Sequence, residues 1–393
     1  MSFHFSKRAL LASSILLGSA IPSMALDADA FAQQLIKTFA KSGSVMEVGS
    51  ASLDGTTVTL SSAVFKAPQQ DIPIGDIVFT GVTETGDGGY KAETASIADI
   101  DAQADEAQIK VSGIEIANLT IPAGEKLETV SDMFLYETFR TGPMSVTVKN
   151  VDVFKYSSTD FTIDANDPAK MDFTGTIDGM VIDLALVEDR RARATIESMG
   201  YSVLTGDMKM KGDWQVETGR INMPEMALTF NDVGRLNTSL DISGYTMAFL
   251  QEIQTLQSEM VGKENDPNAQ QAMGLAMMGL MQQLTFNSLA VRFDDASLTG
   301  KILEFAGKQQ GISAEQMAQA AKGLLPFALG RLGIPALQQQ ISNAANTYLD
   351  DPKNFEIKAE PEAPVPFGQI AGSAMGDPRS LVELLNVQVT ANQ

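Results

Sequence analysis

From residue 50 to residue 245 the chain runs in short segments that alternate apolar with polar residues, and an antiparallel sheet is the fold that satisfies this pattern. The first such stretch, SASLDGTTVTLSSAVFK (50–66), reads as strand, turn, strand. Asp54-Gly55 supplies the positive backbone angles that a two-residue hairpin turn demands. IVFTGVTE, YKAETASI, QIKVSGIEIANLTI, MSVTVKNVDVFK and KMDFTGTIDGMVIDLAL follow with the same period of two. Successive side chains of a strand point to opposite faces, so each segment turns one face to a core and the other to water. The pattern continues through KMKGDWQVETGRINMPEMALTFNDVGRLNTSLDISGYT.

Helical periods frame this region. In DADAFAQQLIKTFAKS (27–42), Phe31, Leu35 and Phe39 recur every four residues, and Gly43 closes the helix. Helices are expected near LETVSDMFLYETF and VEDRRARATIESMGY. Beyond residue 246 the chain turns helical: TMAFLQEIQTLQSEMVG, then a methionine-rich stretch after the loop KENDPN. Ser313 and Gln316 form a capping box for AEQMAQAAKGLL, which Pro326 kinks or ends. Pro335 suits the first turn of ALQQQISNAANTYL. Strands SLAVRFDD, NFEIKAE and LNVQVTA return among these helices. Two pieces echo each other, each running strand, acidic turn (Asn231-Asp232 or Asp294-Asp295), short apolar stretch, glycine (Gly244 or Gly300), helix. The expected fold is α+β: a large, twisted, mostly antiparallel sheet with one face covered by the methionine- and leucine-rich helices of 246–349. Residues 26–245 form its strand-rich region with an N-terminal helix. Residues 246–393 form a helix-rich region packed on the same sheet.

The first residues, MSFHFSKRALLASSILLGSAIPSMALDADAF, have the three parts of a secretory signal. Lys7 and Arg8 are the basic part, Ala9 to Ile21 the apolar part, and Ser23-Met24-Ala25 a small-x-small cleavage site. Cleavage after Ala25 is expected, and with it export to the periplasm. It removes His4, the sole histidine, from a chain without cysteine. It also removes two of the 28 basic residues, leaving 26 against 49 acidic, a net charge of −23. A mature chain without histidine or cysteine excludes serine–histidine and cysteine–histidine nucleophile systems, thiolate or imidazole zinc sites, and iron–sulfur clusters. The negative charge argues against nucleic acid and anionic membrane surfaces. No further transmembrane stretch is expected.

The methionine-rich stretch is QQAMGLAMMGLMQQLTF (270–286). On a helix, Met273, Met277 and Met281 share a face with Leu280 and Leu284. Methionine fills irregular cores and also lines adaptable apolar surfaces. The residues are therefore read as core, with contact to an apolar ligand as the alternative. Asp99, Asp101, Asp105 and Glu106 resemble a calcium loop only until Ala104 and Lys110 occupy the places that need Gly and Glu. Glu188 to Arg193 (EDRRAR) reads as a solvated helix face with internal ion pairs. No cofactor, metal or catalytic motif emerges.

GYSVLTGDMKMKGDWQVETGRINMPEMALTFNDVGRLNTSLDISGYT and the tail YLDDPKNFEIKAEPEAPVPFGQIAGSAMGDPRSLVELLNVQVTANQ resemble exported, strand-repeating proteins called AsmA-like and uncharacterised periplasmic proteins of Gram-negative bacteria. The resemblance implies a long curved sheet whose hydrophobic inside takes part in phospholipid movement. It carries no catalytic residue. AsmA-like proteins are generally membrane-anchored, whereas this chain loses its apolar N-terminus on cleavage. The functional expectation is a non-catalytic envelope protein that holds or passes a lipid or other apolar ligand. The alternatives are a ligand-free structural or adaptor protein and, more remotely, a carboxylate-based hydrolase.

Overall fold

The computed structural model describes residues 26–41, 44–66, 71–124, 127–187, 189–260, 263, 266–330 and 333–393. The expected leader with its expected cleavage site at Ala25, the expected helix end at Gly43, and Glu188 lie outside the described residues. Among the described residues the strands join in one 21-stranded sheet with antiparallel pairing throughout. The fold is α+β. The Asp54-Gly55 hairpin joins Ser50–Asp54 to Thr57–Lys66, with Gly55 at φ 61°.

The spine continues through Ile72–Thr80, Tyr90–Ile97, Ile114–Ile121, Thr138–Thr141, Ser158–Asp167 and Lys170–Asp183. Val203–Gln215, Arg220–Phe230, Gly234–Ser243, Thr285–Asp295, Asn354–Ala359 and Val387–Ala391 complete it.

A crease crosses this sheet. Ile100–Ala104, Ala107–Val111, Met144–Val148 and Val151–Tyr156 form a shorter ladder that rejoins the spine at Lys170–Asp183. Each continues a spine strand past a short break, at Ala98-Asp99, Ser112-Gly113, Gly142-Pro143 and Ser157. The breaks lie side by side. Gly142 N donates to Ser112 O at 2.8 Å, and Ser157 N to Asp178 O at 2.9 Å. Three aspartates satisfy backbone donors left over by the breaks. Ser62 N donates to Asp76 Oδ1 at 3.0 Å, Gly113 N to Asp99 Oδ1 at 3.2 Å, and Gly179 N to Asp207 Oδ1 at 2.8 Å. Gly179 must be glycine: its φ is 64°, and an added Cβ would lie 2.4 Å from Ser157 Oγ. Asp99, part of the apparent calcium loop, is thus a crease residue. Asp101 pairs with Lys110, and Glu106 with Lys149.

The helices are α1 (Ala28–Lys41), α2 (Arg190–Ser198), α3 (Met247–Met260), α4 (Pro267–Met281), α5 (Leu298–Gln310), α6 (Ala314–Leu329), α7 (Pro335–Asp350), α8 (Phe367–Gly376) and α9 (Ser380–Leu384). Among the described residues, three clusters of buried apolar side chains form. The largest packs Phe31 and Leu35 of α1 on Val58, Leu60, Phe79, Ala95 and Leu119. The Phe31 ring meets Phe79 and Tyr90 edge-on at 4.9 and 5.2 Å. A second joins Phe249 of α3 to Leu280 and Leu284. The third packs Ala344 of α7 on Val389 and Ala391 of the last strand.

The sequence expectations differ from the structure in four places. LETVSDMFLYETF holds only a 3-10 turn at Val130–Asp132, because the Asp132 carboxylate accepts from Glu128 N, Thr129 N and Thr129 Oγ1 and closes the turn locally. In EDRRAR, Asp189 caps α2 by accepting from Arg191 N and Ala192 N, so its charge serves the helix start. Pro326 lies inside α6, which runs on to Leu329. The two echoing pieces diverge: after Asn231-Asp232 the chain forms strand Gly234–Ser243, whereas after Asp294-Asp295 it enters α5 directly.

Candidate functional site: a creased apolar face

Directly paired residues of an antiparallel sheet share a face. One row of pairs crosses the whole spine: Leu53, Val58, Phe79, Ala95, Ile116, Phe139, Phe161, Gly175, Met210, Met226, Thr238, Val291, Ile357, Val389. Thr238 is its one polar member. The adjacent row on the same face runs Thr141, Thr159, Ile177, Met208, Leu228, Leu236, Phe293, Phe355, Ala391. Across the crease, Ala102, Ile109, Val146, Phe154, Ile182 and Leu204 form a further apolar row. The Tyr156 hydroxyl, on that side of the crease, lies 3.0 Å from Thr141 Oγ1, so the apolar rows turn to one side of the sheet.

Cover on this face is uneven. Val58, Phe79 and Ala95 are buried beneath α1, and Val389 beneath α7. Between them, Ile116, Phe139, Phe161, Met210 and Met226 are half-buried, and Val291 and Ile357 are 38% and 48% exposed. The floor is smoothed by rings laid over glycines. An added Cβ would lie 2.4 Å from the Phe161 ring at Gly175 and 2.5 Å from the Phe173 ring at Gly212.

The opposite face carries the charge. Arg140 bonds Asp160 at 2.7 Å, Arg235 bonds Glu225 at 2.7 Å, and Arg292 bridges Asp294 and Glu356 at 2.9 and 3.5 Å. Arg220 and Asn287 share Asp241. Burial pushes the Asp241 carboxyl up, but these two donors together hold it below the usual carboxylate range.

Of the residues singled out in the sequence, Leu280 and Leu284 are 3% and 7% exposed and pack on Phe249. Met273 lines a cleft of about 230 Å³ between α3 and α4, with Leu256, Met260 and Ala276. Met277 and Met281 are partly exposed, and Met278 is 59% exposed. Helix α3 itself joins two distant parts of the sheet. Trp214 Nε1 donates to Tyr245 O at 2.9 Å where α3 begins, and Gln251 Nε2 donates to Leu127 O.

One further cluster groups chemistry-bearing side chains. Tyr201 OH lies 3.1 Å from both Asp232 O and Ser297 Oγ, and Lys301 Nζ sits 4.0 Å above the Tyr201 ring. Ser297 also donates to Asp232 O. These bonds tie strand turns to the start of α5, so the hydroxyls serve as a brace. Nearby, burial pushes Tyr348 up to about 12 while it donates to Asp295 at 3.0 Å. Among the described residues no group of three or more acidic side chains could hold a metal. No helix there is long and apolar enough to cross a membrane.

A family model described as "Uncharacterized protein" matches residues 227–392, from the end of strand Arg220–Phe230 through helices α3–α9 to the last strand. No match was found among curated proteins.

Proposed function

We propose that the chain is an exported, non-catalytic protein of the periplasm that holds or passes a lipid or other apolar chain along the creased face. The observation that carries this reading is the row from Ile116 to Ile357, apolar except for Thr238 and largely half-buried to exposed. A contiguous apolar surface of this kind marks a binding site. In this reading the helices close the face at its ends: α1 at one, α7 at the other, with the α3–α4 pair at the rim. The ligand covers the middle. Met273, Met277 and Met281 then offer adaptable contact beside the rim, while Leu280 and Leu284 hold the two helices together.

A ligand-free structural role is the second reading, favoured by the packing of Leu280 and Leu284 on Phe249. Native mass spectrometry of gently purified protein separates the two. Co-purifying lipid, lost in the double variant Val291→Asp, Ile357→Asp, supports the proposal. Both positions are exposed but paired across strands, so a circular dichroism spectrum matching the wild type is required of the variant before the loss is read as loss of binding. A lipid-free wild type that binds no apolar dye ends it.

A further inference from the structure

We infer that Tyr156, positioned by Thr141 and Thr159, is the hydrogen-bonding anchor for the uncharged polar end of an amphiphile lying on the creased face. The inference rests on the proposed function and adds to it the class of ligand and its orientation. Thr141 and Thr159 are paired across adjacent strands, and both are only 7% exposed. Their neighbours along the face, Phe139, Phe161, Ile177 and Met208, are half-buried. The two threonines therefore lie at the bottom of the crease, in the least accessible part of the central face. Thr141 Oγ1 donates to Gly142 O at 3.1 Å, and it lies 3.1 Å from Thr159 Oγ1 and 3.0 Å from Tyr156 OH.

With the Thr141 proton on Gly142, the Thr141 oxygen accepts from both partners. The Tyr156 proton is then held by Thr141, and the Tyr156 oxygen keeps open lone pairs that accept from an incoming hydroxyl. Tyr156 is the most accessible of the three, and its own row, Met144, Val111 and Ile100, is apolar. A polar group set in an apolar surface fixes the orientation of a ligand more than its affinity.

The chemistry also selects the head group. Arg140 and Asp160, next to Thr141 and Thr159 in sequence, lie on the opposite face and pair with each other, and Lys155, next to Tyr156, pairs in register with Ser145 and Val181 on the side away from Tyr156. Among the described residues, no cation occupies the paired positions of this face around Phe139, Thr141, Thr159, Phe161, Ile177 and Met208. A carboxylate or phosphate would lose its hydration there without a partner charge. A hydroxyl, as in a monoacylglycerol, needs only the one hydrogen bond, which it donates to Tyr156.

The test uses the full exported chain, the apolar dye N-phenyl-1-naphthylamine, 1-dodecanoylglycerol as competitor, and the dodecanoate anion as control. Tyr156→Phe removes the hydroxyl, and Thr159→Val removes one of its supports. Each should leave dye binding unchanged; Tyr156→Phe should weaken the monoacylglycerol about fivefold, the effect of one neutral hydrogen bond, and Thr159→Val, which acts through Thr141, should weaken it by a smaller factor. A monoacylglycerol affinity unchanged in both variants would overturn the anchor and leave the apolar groove standing. Dodecanoate bound as tightly as the glycerol ester would overturn the uncharged head group. A wild type that binds neither dye nor ester would overturn both this inference and the function beneath it.

Discussion

Truncating Leu280 and Met278 in parallel tests how the methionine-rich helix is used. The two residues are two positions apart on α4, yet Leu280 is 3% exposed and Met278 59%. Leu280→Ala removes three carbons from a site closed by Phe249 and Leu284, with Tyr245, Ile253, Leu256 and Phe367 around it. Transfer of those carbons is worth roughly 2.4 kcal/mol, at about 0.8 kcal/mol per methylene. A cavity term adds to it, and Leu→Ala changes run from about 2 to 5 kcal/mol. This cluster has only three fully buried members, so its rim can collapse inward. The expected loss is therefore near the low end, about 2–3 kcal/mol. Met278→Ala should stay within about 0.5 kcal/mol, as surface substitutions do. Urea unfolding followed by circular dichroism at 222 nm measures both, and hydrogen exchange across α3 and α4 shows whether the loss is local. Equal effects at the two positions would refute the division of α4 into a packed and an open side.

Two further predictions follow from charge and from glycine geometry. Asp241 titrates below the usual carboxylate range in the folded chain, so its stabilising effect is present above the unfolded value of about 3.9 and lost as pH falls through the folded value. Asp241→Asn should therefore flatten the fall in urea midpoint between pH 5 and pH 2, relative to the wild type; an unchanged slope would count against the Arg220–Asp241 pairing. Gly274→Ala, with open space around its Cβ, should stabilise α4 by about 1 kcal/mol. Gly206→Ala, whose Cβ would lie 1.9 Å from Thr229 O, should cost about 3 kcal/mol or more, and thermal melts of the pair give the contrast.

The strands were legible because their signal is local. A period of two over VTVKNVDVFK needs no knowledge of the partner strand, and Asp54-Gly55 announces its own turn. Helices with strong caps, such as Ser313–Gln316 before α6, were legible for the same reason. The crease was not. Gly113, Gly142 and Gly179 look like isolated weak points until the pairing register sets them side by side, and register is a property of two strands at once. Asp99, Asp76 and Asp207 were hidden likewise, since each satisfies a backbone donor on another strand. The methionine stretch was legible as an apolar helix, but period alone could not say that Leu280 faces Phe249 while Met278 faces outward. The anchor residues left no mark either: Thr141, Tyr156 and Thr159 are spread through ordinary alternating strands, and only the fold of the sheet at the crease joins them.

The uneven cover of the apolar face sets the strength of binding it can support. A dozen methylenes of an acyl chain, transferred from water to the face, release roughly 10 kcal/mol at about 0.8 kcal/mol each. Loss of the ligand's translational and rotational freedom opposes this by about 4–15 kcal/mol. One hydrogen bond at Tyr156 returns about 1 kcal/mol. Even with full burial and the smallest cost the balance is about 7 kcal/mol, a dissociation constant on the order of 10 µM, so a floor open on one side supports only weak binding. An acyl chain would leave on a useful timescale from such a surface, whereas the closed packing beneath α1, where Phe31 and Val58 are wholly buried, would trap it. The charge on the other face complements this arrangement. With 49 acidic against 28 basic residues, net charge opposes the stacking of two copies through their apolar faces, which in the proposed reading leaves the face to a small ligand.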